Sequence, residues 1–117
     1  MGGVQDYMEL NNITKNNKSI ISIIGKINAI TAPEFEQYLK TLVNNGILKI
    51  ILDFSKVDYI SSAGLRAILV ITKLLKTKSG SIVLASLKPE VKNVFEISGF
   101  TSIIPVVEDI EEAESKL

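Results

Sequence analysis

The order of apolar runs and helical repeats predicts a single α/β domain: a mixed central sheet of about four to five strands with helices packed against it, in the order β-β-α-β-α-β-α-β-α. Three observations carry this. Short β-branched runs bounded by turn residues recur at 19–26, 47–54 and 81–86. Between them, apolar residues fall at three- and four-residue spacing in stretches that end in Asn-Gly, Ser-Gly or a similar stop. Strands that alternate with helices need right-handed crossovers and parallel pairing, with an antiparallel or mixed edge at the N-terminus. The 117 residues fit one domain, 1–117, with enough chain for one core.

Residues 4–10 read as an edge strand, and the Asn-rich stretch 11–18 reads as the turn that follows it. SIISIIGK, 19–26, is the second strand. Thr31 is a candidate N-cap for the first helix, with Pro33 in the first turn and Glu34 close to a capping-box position. Phe35, Leu39, Leu42 and Val43 form its core stripe, and Asn44-Asn45-Gly46 ends it. ILKIILDF, 47–54, is nearly continuous in apolar residues, the pattern of a strand covered on both faces.

After Asp53 a short turn is expected, and then a second helix opened by Ser61 or Ser62. Leu65, Ile68, Leu69, Thr72 and Leu75 would turn inward, leaving Arg66, Ala67, Val70, Lys73 and Leu74 on the other side. Lys78-Ser79-Gly80 stops that helix. Pro89 begins a third helix, with Val91, Val94, Phe95 and Ile97 at core spacing and Ser98-Gly99 at its end. Residues 103–107 read as a short last strand, and 108–117 as a terminal acidic helix.

Composition removes several classes of function. Thirteen basic and thirteen acidic side chains leave zero formal charge, without the basic footprint of a nucleic-acid binder. Cysteine and histidine are both absent, which removes disulfides, zinc clusters, thiol nucleophiles and imidazole bases. A Ser-Lys dyad is formally open, but nothing sets Lys56 or Lys73 against a serine. Gly25-Lys26 lacks the remainder of a phosphate-binding loop, and there is no GxGxxG. Glu108, Asp109, Glu111, Glu112 and Glu114 read as a solvated helix face rather than a metal site. No cofactor or metal is expected. The N-terminal residues lack the pattern of a signal peptide, and the longest apolar run, 67–71, is far short of a membrane span. A cytoplasmic protein without membrane association is therefore expected.

One stretch combines several specific features: Asp53-Phe54-Ser55-Lys56-Val57-Asp58-Tyr59-Ile60-Ser61-Ser62-Ala63-Gly64-Leu65-Arg66. A strand ends, a turn follows, and paired serines begin a helix. Capping alone accounts for one serine there, with a usual worth of about 1 kcal/mol. Gly64 in the first turn costs up to about 1 kcal/mol relative to Ala. Its presence implies either a close approach to the backbone or tight packing of helix on sheet.

Ile50-Ile51-Leu52-Asp53-Phe54 followed by Val57-Asp58-Tyr59-Ile60-Ser61-Ser62-Ala63-Gly64-Leu65 resembles the signature of STAS domains, and more narrowly that of bacterial anti-sigma factor antagonists. The resemblance extends to Gly25-Lys26-Ile27-Asn28, to 81–87, and to the helix ending Ser98-Gly99-Phe100. It implies a partner-switching protein. The unphosphorylated form would bind an anti-sigma factor, commonly itself a serine kinase, and so release a sigma factor. Phosphorylation of a serine at the helix start would block binding, and a serine phosphatase would restore it.

In the family pattern that serine follows an aspartate and precedes Ser or Thr, then Gly-Leu. Here it falls on Ser62, with Ser61 in place of the aspartate, Ala63 in place of the hydroxyl residue, and Asn28 in place of a further aspartate after the second strand. The expected partner-binding set is Asn28, Ser61, Ser62, Ala63, Gly64, Arg66, Ala67, Val70 and Lys73, on a monomer or weak dimer. The departures leave open a non-phosphorylated STAS scaffold or lipid-transport accessory subunit. Nucleotide or small-ligand binding is a weaker alternative.

Overall fold

A computed structural model describes residues 7–117. Its elements are β1 (Met8–Lys15), β2 (Lys18–Ile27), α1 (Ala32–Asn44), β3 (Lys49–Ile60), α2 (Ser62–Thr77), β4 (Ser81–Ala85), α3 (Pro89–Ile97), a 3₁₀ turn (Phe100–Ser102), β5 (Val106–Val107) and α4 (Ile110–Ser115). The five strands lie in the order β1-β2-β3-β4-β5. β1 runs antiparallel to β2, and the other neighbours are parallel. This is the mixed sheet that the sequence predicts.

Strand alternation divides the core into two layers. Ile21, Ile23 and Ile27 of β2, Ile50, Leu52 and Phe54 of β3, and Ile82 and Leu84 of β4 meet the buried stripes of α1, α2 and α3. On the other face Ile51, Val83, Ala85 and Val107 pack against Ala113 of α4. β3 and β4 are thus covered on both sides, which explains their continuous apolar runs. Phe95 of α3 stacks edge-on against both Phe54 and Phe100, with ring centroids 5.8 and 6.0 Å apart.

The structure corrects the expected boundaries in four places. The Asn-rich stretch is strand, not turn: β1 pairs with β2 out to Lys15, and only Asn16 and Asn17 make the hairpin turn. Asn16 has φ 59°, a left-handed conformation that Asn tolerates. Of the expected first strand, residues 4–6 lie outside the described residues.

β3 continues past Asp53 to Ile60 where a turn is expected. Its pairing with β2 slips by one residue twice, once between Ser22 and Ile24 and once between Gly25 and Lys26. Each slip adds a residue to β3, as a bulge does. Phe54, Val57 and Ile60 therefore share the buried face at a spacing of three, a period that does not read as a strand.

The last strand shrinks to Val106–Val107 because the 3₁₀ turn and Pro105 occupy the approach to it. Finally, Ile97 is 78% exposed at the end of α3, whereas Val91 and Phe95 are buried. Truncation of Phe95 to Ala should cost about 3–5 kcal/mol, and Ile97→Ala should stay within about 0.5 kcal/mol. Urea denaturation of the two variants checks this contrast.

Candidate functional site

The site forms where β2 and β3 end and α2 begins. Ser61 has extended backbone, and its side-chain oxygen accepts the Gly64 N–H at 3.3 Å, so Ser61 is the N-cap. Its own N–H donates to the Ile27 carbonyl at 2.9 Å, which ties the helix start to the end of β2. Ser62 is the first helical residue and is exposed. Its hydroxyl makes no hydrogen bond among the described residues. The two serines therefore divide the work: one caps, and the other stands open at the mouth of the helix.

Gly64 is buried because α2 lies hard against the sheet. A Cβ there would sit 2.7 Å from Ile60 Cγ1, 2.8 Å from Ile27 Cγ2 and 3.1 Å from the Ile27 carbonyl oxygen. Of the two explanations open from sequence, tight packing of helix on sheet is the correct one.

The loop before α1 is held just as firmly. Asn28 Oδ1 accepts the N–H groups of Ile30 and Thr31 at 2.9 and 3.1 Å, an Asx-type turn. The Thr31 hydroxyl accepts from Asn28 N–H at 2.9 Å and donates to the Lys26 carbonyl at 2.7 Å. Thr31 occupies the N-cap position but makes no side-chain cap, because its hydroxyl is committed to this loop. The expected N-cap position is thus met by Thr31, without a capping bond from its side chain. Asn28 thus shapes the loop that faces the α2 N-terminus.

Between the first turns of α1 and α2 lies a groove of about 290 Å³, lined by Ala29, Ala32, Pro33, Glu36, Ala63 and Arg66. Ile30, 69% exposed, stands in the same loop. Of the expected contact residues, Ser62, Arg66 and Lys73 are exposed, and Asn28, Ser61, Ala63 and Val70 are half-buried. Ala67 does not lie on the outer side: it is 1% exposed and turned into the core together with Ile71. The apolar stripe of α2 is wider than the sequence reading allowed, because the helix packs on both the sheet and α1. Ala29 and Ile30 went unread from sequence. An isoleucine inside a turn closed by Asn and Thr was the available signal.

Away from the groove, the Lys88 ammonium donates to Asp58 Oδ1 at 2.5 Å and joins β3 to the start of α3. This hydrogen bond, then the charge of Lys88 and more weakly that of Lys26, holds the Asp58 carboxyl below its ordinary 3.8. The acidic C-terminal cluster also has a structural role: Asp109 caps α4 through the Glu112 N–H, and Glu112 reaches back to the Glu108 N–H.

A STAS-domain family model matches residues 9–113, and the chain belongs to that family. Within it, the chain is similar to anti-sigma factor antagonists. It is 45% identical over 94 residues to the Bordetella bronchiseptica protein named "Putative anti-sigma factor antagonist BtrV", covering 80% of this chain and 81% of that one. To the anti-sigma-B factor antagonist of Bacillus subtilis it is 31% identical over 102 residues, covering 85% and 92%. The fold matches the crystal structure of an anti-sigma factor antagonist from Mycobacterium paratuberculosis with a TM-score of 0.87 at 20% identity, over 97% and 96% of the two chains. It also matches Bacillus SpoIIAA in its phosphorylated form, with a TM-score of 0.72 at 19% identity over 94% and 98%. Homology thus places the chain among the anti-sigma factor antagonists, and among its described residues no helix is long and apolar enough to cross a membrane.

Two outcomes follow from this geometry. Gly64→Ala should lose about 1–3 kcal/mol of stability through overpacking, although Ala is the better helix former by about 1 kcal/mol; chemical denaturation reads the sign. An NMR titration should place the Asp58 carboxyl below 3.8, with Lys88→Met returning it towards that value. Because the folded value is depressed, this ion pair supports the fold above the unfolded value and fades as pH falls through the folded one.

Proposed function

We propose that the chain is a cytoplasmic partner-switching antagonist whose Ser62 hydroxyl is the phosphorylated group. Unphosphorylated, it binds an anti-sigma factor across the first turns of α1 and α2, and so frees a sigma factor. Ser62, Ala63, Arg66 and Ile30 are the central contacts, with Val70 and Lys73 extending the surface along α2. Asn28, Ser61 and Gly64 act beneath them, by fixing the loop and the helix start in place. A serine kinase, commonly the anti-sigma factor itself, phosphorylates Ser62, and a phosphatase reverses it.

The observation that carries this reading is the exposed, unbonded hydroxyl of Ser62 beside a cap that Ser61 already provides. A group added to Ser62 leaves that cap intact. The phosphate would bring about −1.5 to −2 charges to a helix N-terminus, where the dipole favours anions. Arg66, one turn later, lies in the favourable orientation for an acid–base pair four residues apart. The fold therefore accepts the modification, and the bound partner does not: desolvating an uncompensated phosphate costs several kcal/mol, or orders of magnitude in affinity. The switch acts at the interface, without rearranging the core.

Incubation with the cognate kinase and ATP should add one phosphate that maps by mass spectrometry to the peptide containing Ser62. Both the phosphorylated protein and Ser62→Asp should bind the anti-sigma factor at least about tenfold more weakly than the unmodified chain. Their melting temperatures should stay within a few degrees of it. Equal affinity for all three forms would overturn the proposal.

A further inference from the structure

Among the described residues β1 is an edge of the sheet, with β2 as its one neighbouring strand. The Lys26 N–H donates to the Tyr7 carbonyl at 2.9 Å, which marks residues 7 and 26 as a hydrogen-bonded pair. Antiparallel alternation then directs the backbone groups of Glu9, Asn11, Ile13 and Lys15 towards β2. Those of Met8, Leu10, Asn12 and Thr14 point away from the sheet. This is an open row of donors and acceptors eight residues long.

The side chains along that row are arranged to match their own reversed copy. In an antiparallel pair centred on Asn12, the outward groups meet in register: Asn12 faces Asn12 of the second copy, and Leu10 faces Thr14. Glu9 then lies opposite Lys15 of the second copy, and symmetry repeats the contact. Centring the pair one residue earlier, on Asn11, sets Glu9 against Ile13 instead, and centring it on Ile13 carries Glu9 beyond Lys15. Only the Asn12 register joins the charges. The Glu9 carboxylate is already oriented by Tyr7 Oη at 2.6 Å and Asn11 Nδ2 at 3.1 Å. Lys15 has no ion pair among the described residues. Ile13, 74% exposed on the same face, would lie opposite Asn11 of the second copy.

We infer that β1 pairs with β1 of a second copy in this register, so that one sheet runs through both chains. The inference does not depend on the function proposed for Ser62, since no β1 residue lines the α2 groove. Sedimentation velocity over a concentration series of the full chain should show a reversible dimer. Glu9→Lys and Lys15→Glu should each weaken it about tenfold or more, because each places like charges opposite one another twice. The double variant Glu9→Lys/Lys15→Glu should restore it to near the wild-type constant. Asn12→Pro removes an outward N–H without touching the bonds to β2, and should abolish the dimer while circular dichroism stays native. A chain that remains monomeric at all concentrations, or a dimer indifferent to the charge reversals, would overturn the inference.

Discussion

The close approach of α2 to the ends of β2 and β3 governs the arrangement of the site. Gly64 lets the helix backbone sit against Ile27 and Ile60 where a methyl group would collide with both. The bond from Ser61 N–H to the Ile27 carbonyl fixes the same junction along the chain. The helix start is thus held from two directions, and Ser62, its first helical residue, is exposed. Packing at Gly64, two residues beyond the serine pair, thus fixes the part of the helix from which Ser62 projects.

The two register slips in β3 serve the same junction. A regular strand of this length would present alternate residues to the helices. The slips instead bring Phe54, Val57 and Ile60 to one face, so that Ile60 arrives under Gly64 and beside Ile27. The Asn28–Thr31 loop closes the opposite wall through hydrogen bonds among its own groups and to the Lys26 carbonyl. The groove between α1 and α2 is therefore bounded by a hydrogen-bonded loop on one side and a closely packed helix start on the other.

The architecture was legible in the sequence because local and global signals agree there: the β-branched runs, helical spacing and Gly stops all specify the same order of elements. The paired serines and Gly64 also marked the start of α2, where one serine caps and the other is exposed. What was missed involves tertiary context. The strand character of 55–60 is hidden by a spacing of three that only pairing with β2 produces. The Asn-rich first strand has low intrinsic preference for extended structure and is held by its ladder with β2. Ala67 looked outward because a stripe drawn for one packed face ignored α1, which buries α2 from a second direction. Thr31 has the composition of a cap, yet Asn28 and the Lys26 carbonyl claim its hydroxyl.

The two faces of the sheet are unequally protected. Three helices with large apolar side chains cover one, and the other depends on α4, six residues long with Ala113 as its one buried side chain. Such a cover has little apolar area to lose on lifting, the condition under which a segment opens separately from the rest of a domain. Amide protons of β5 and of the α4 segment are therefore expected to exchange through excursions that leave the serine-bearing helix folded. A partial opening at the C-terminal end can come and go while the opposite face keeps its shape.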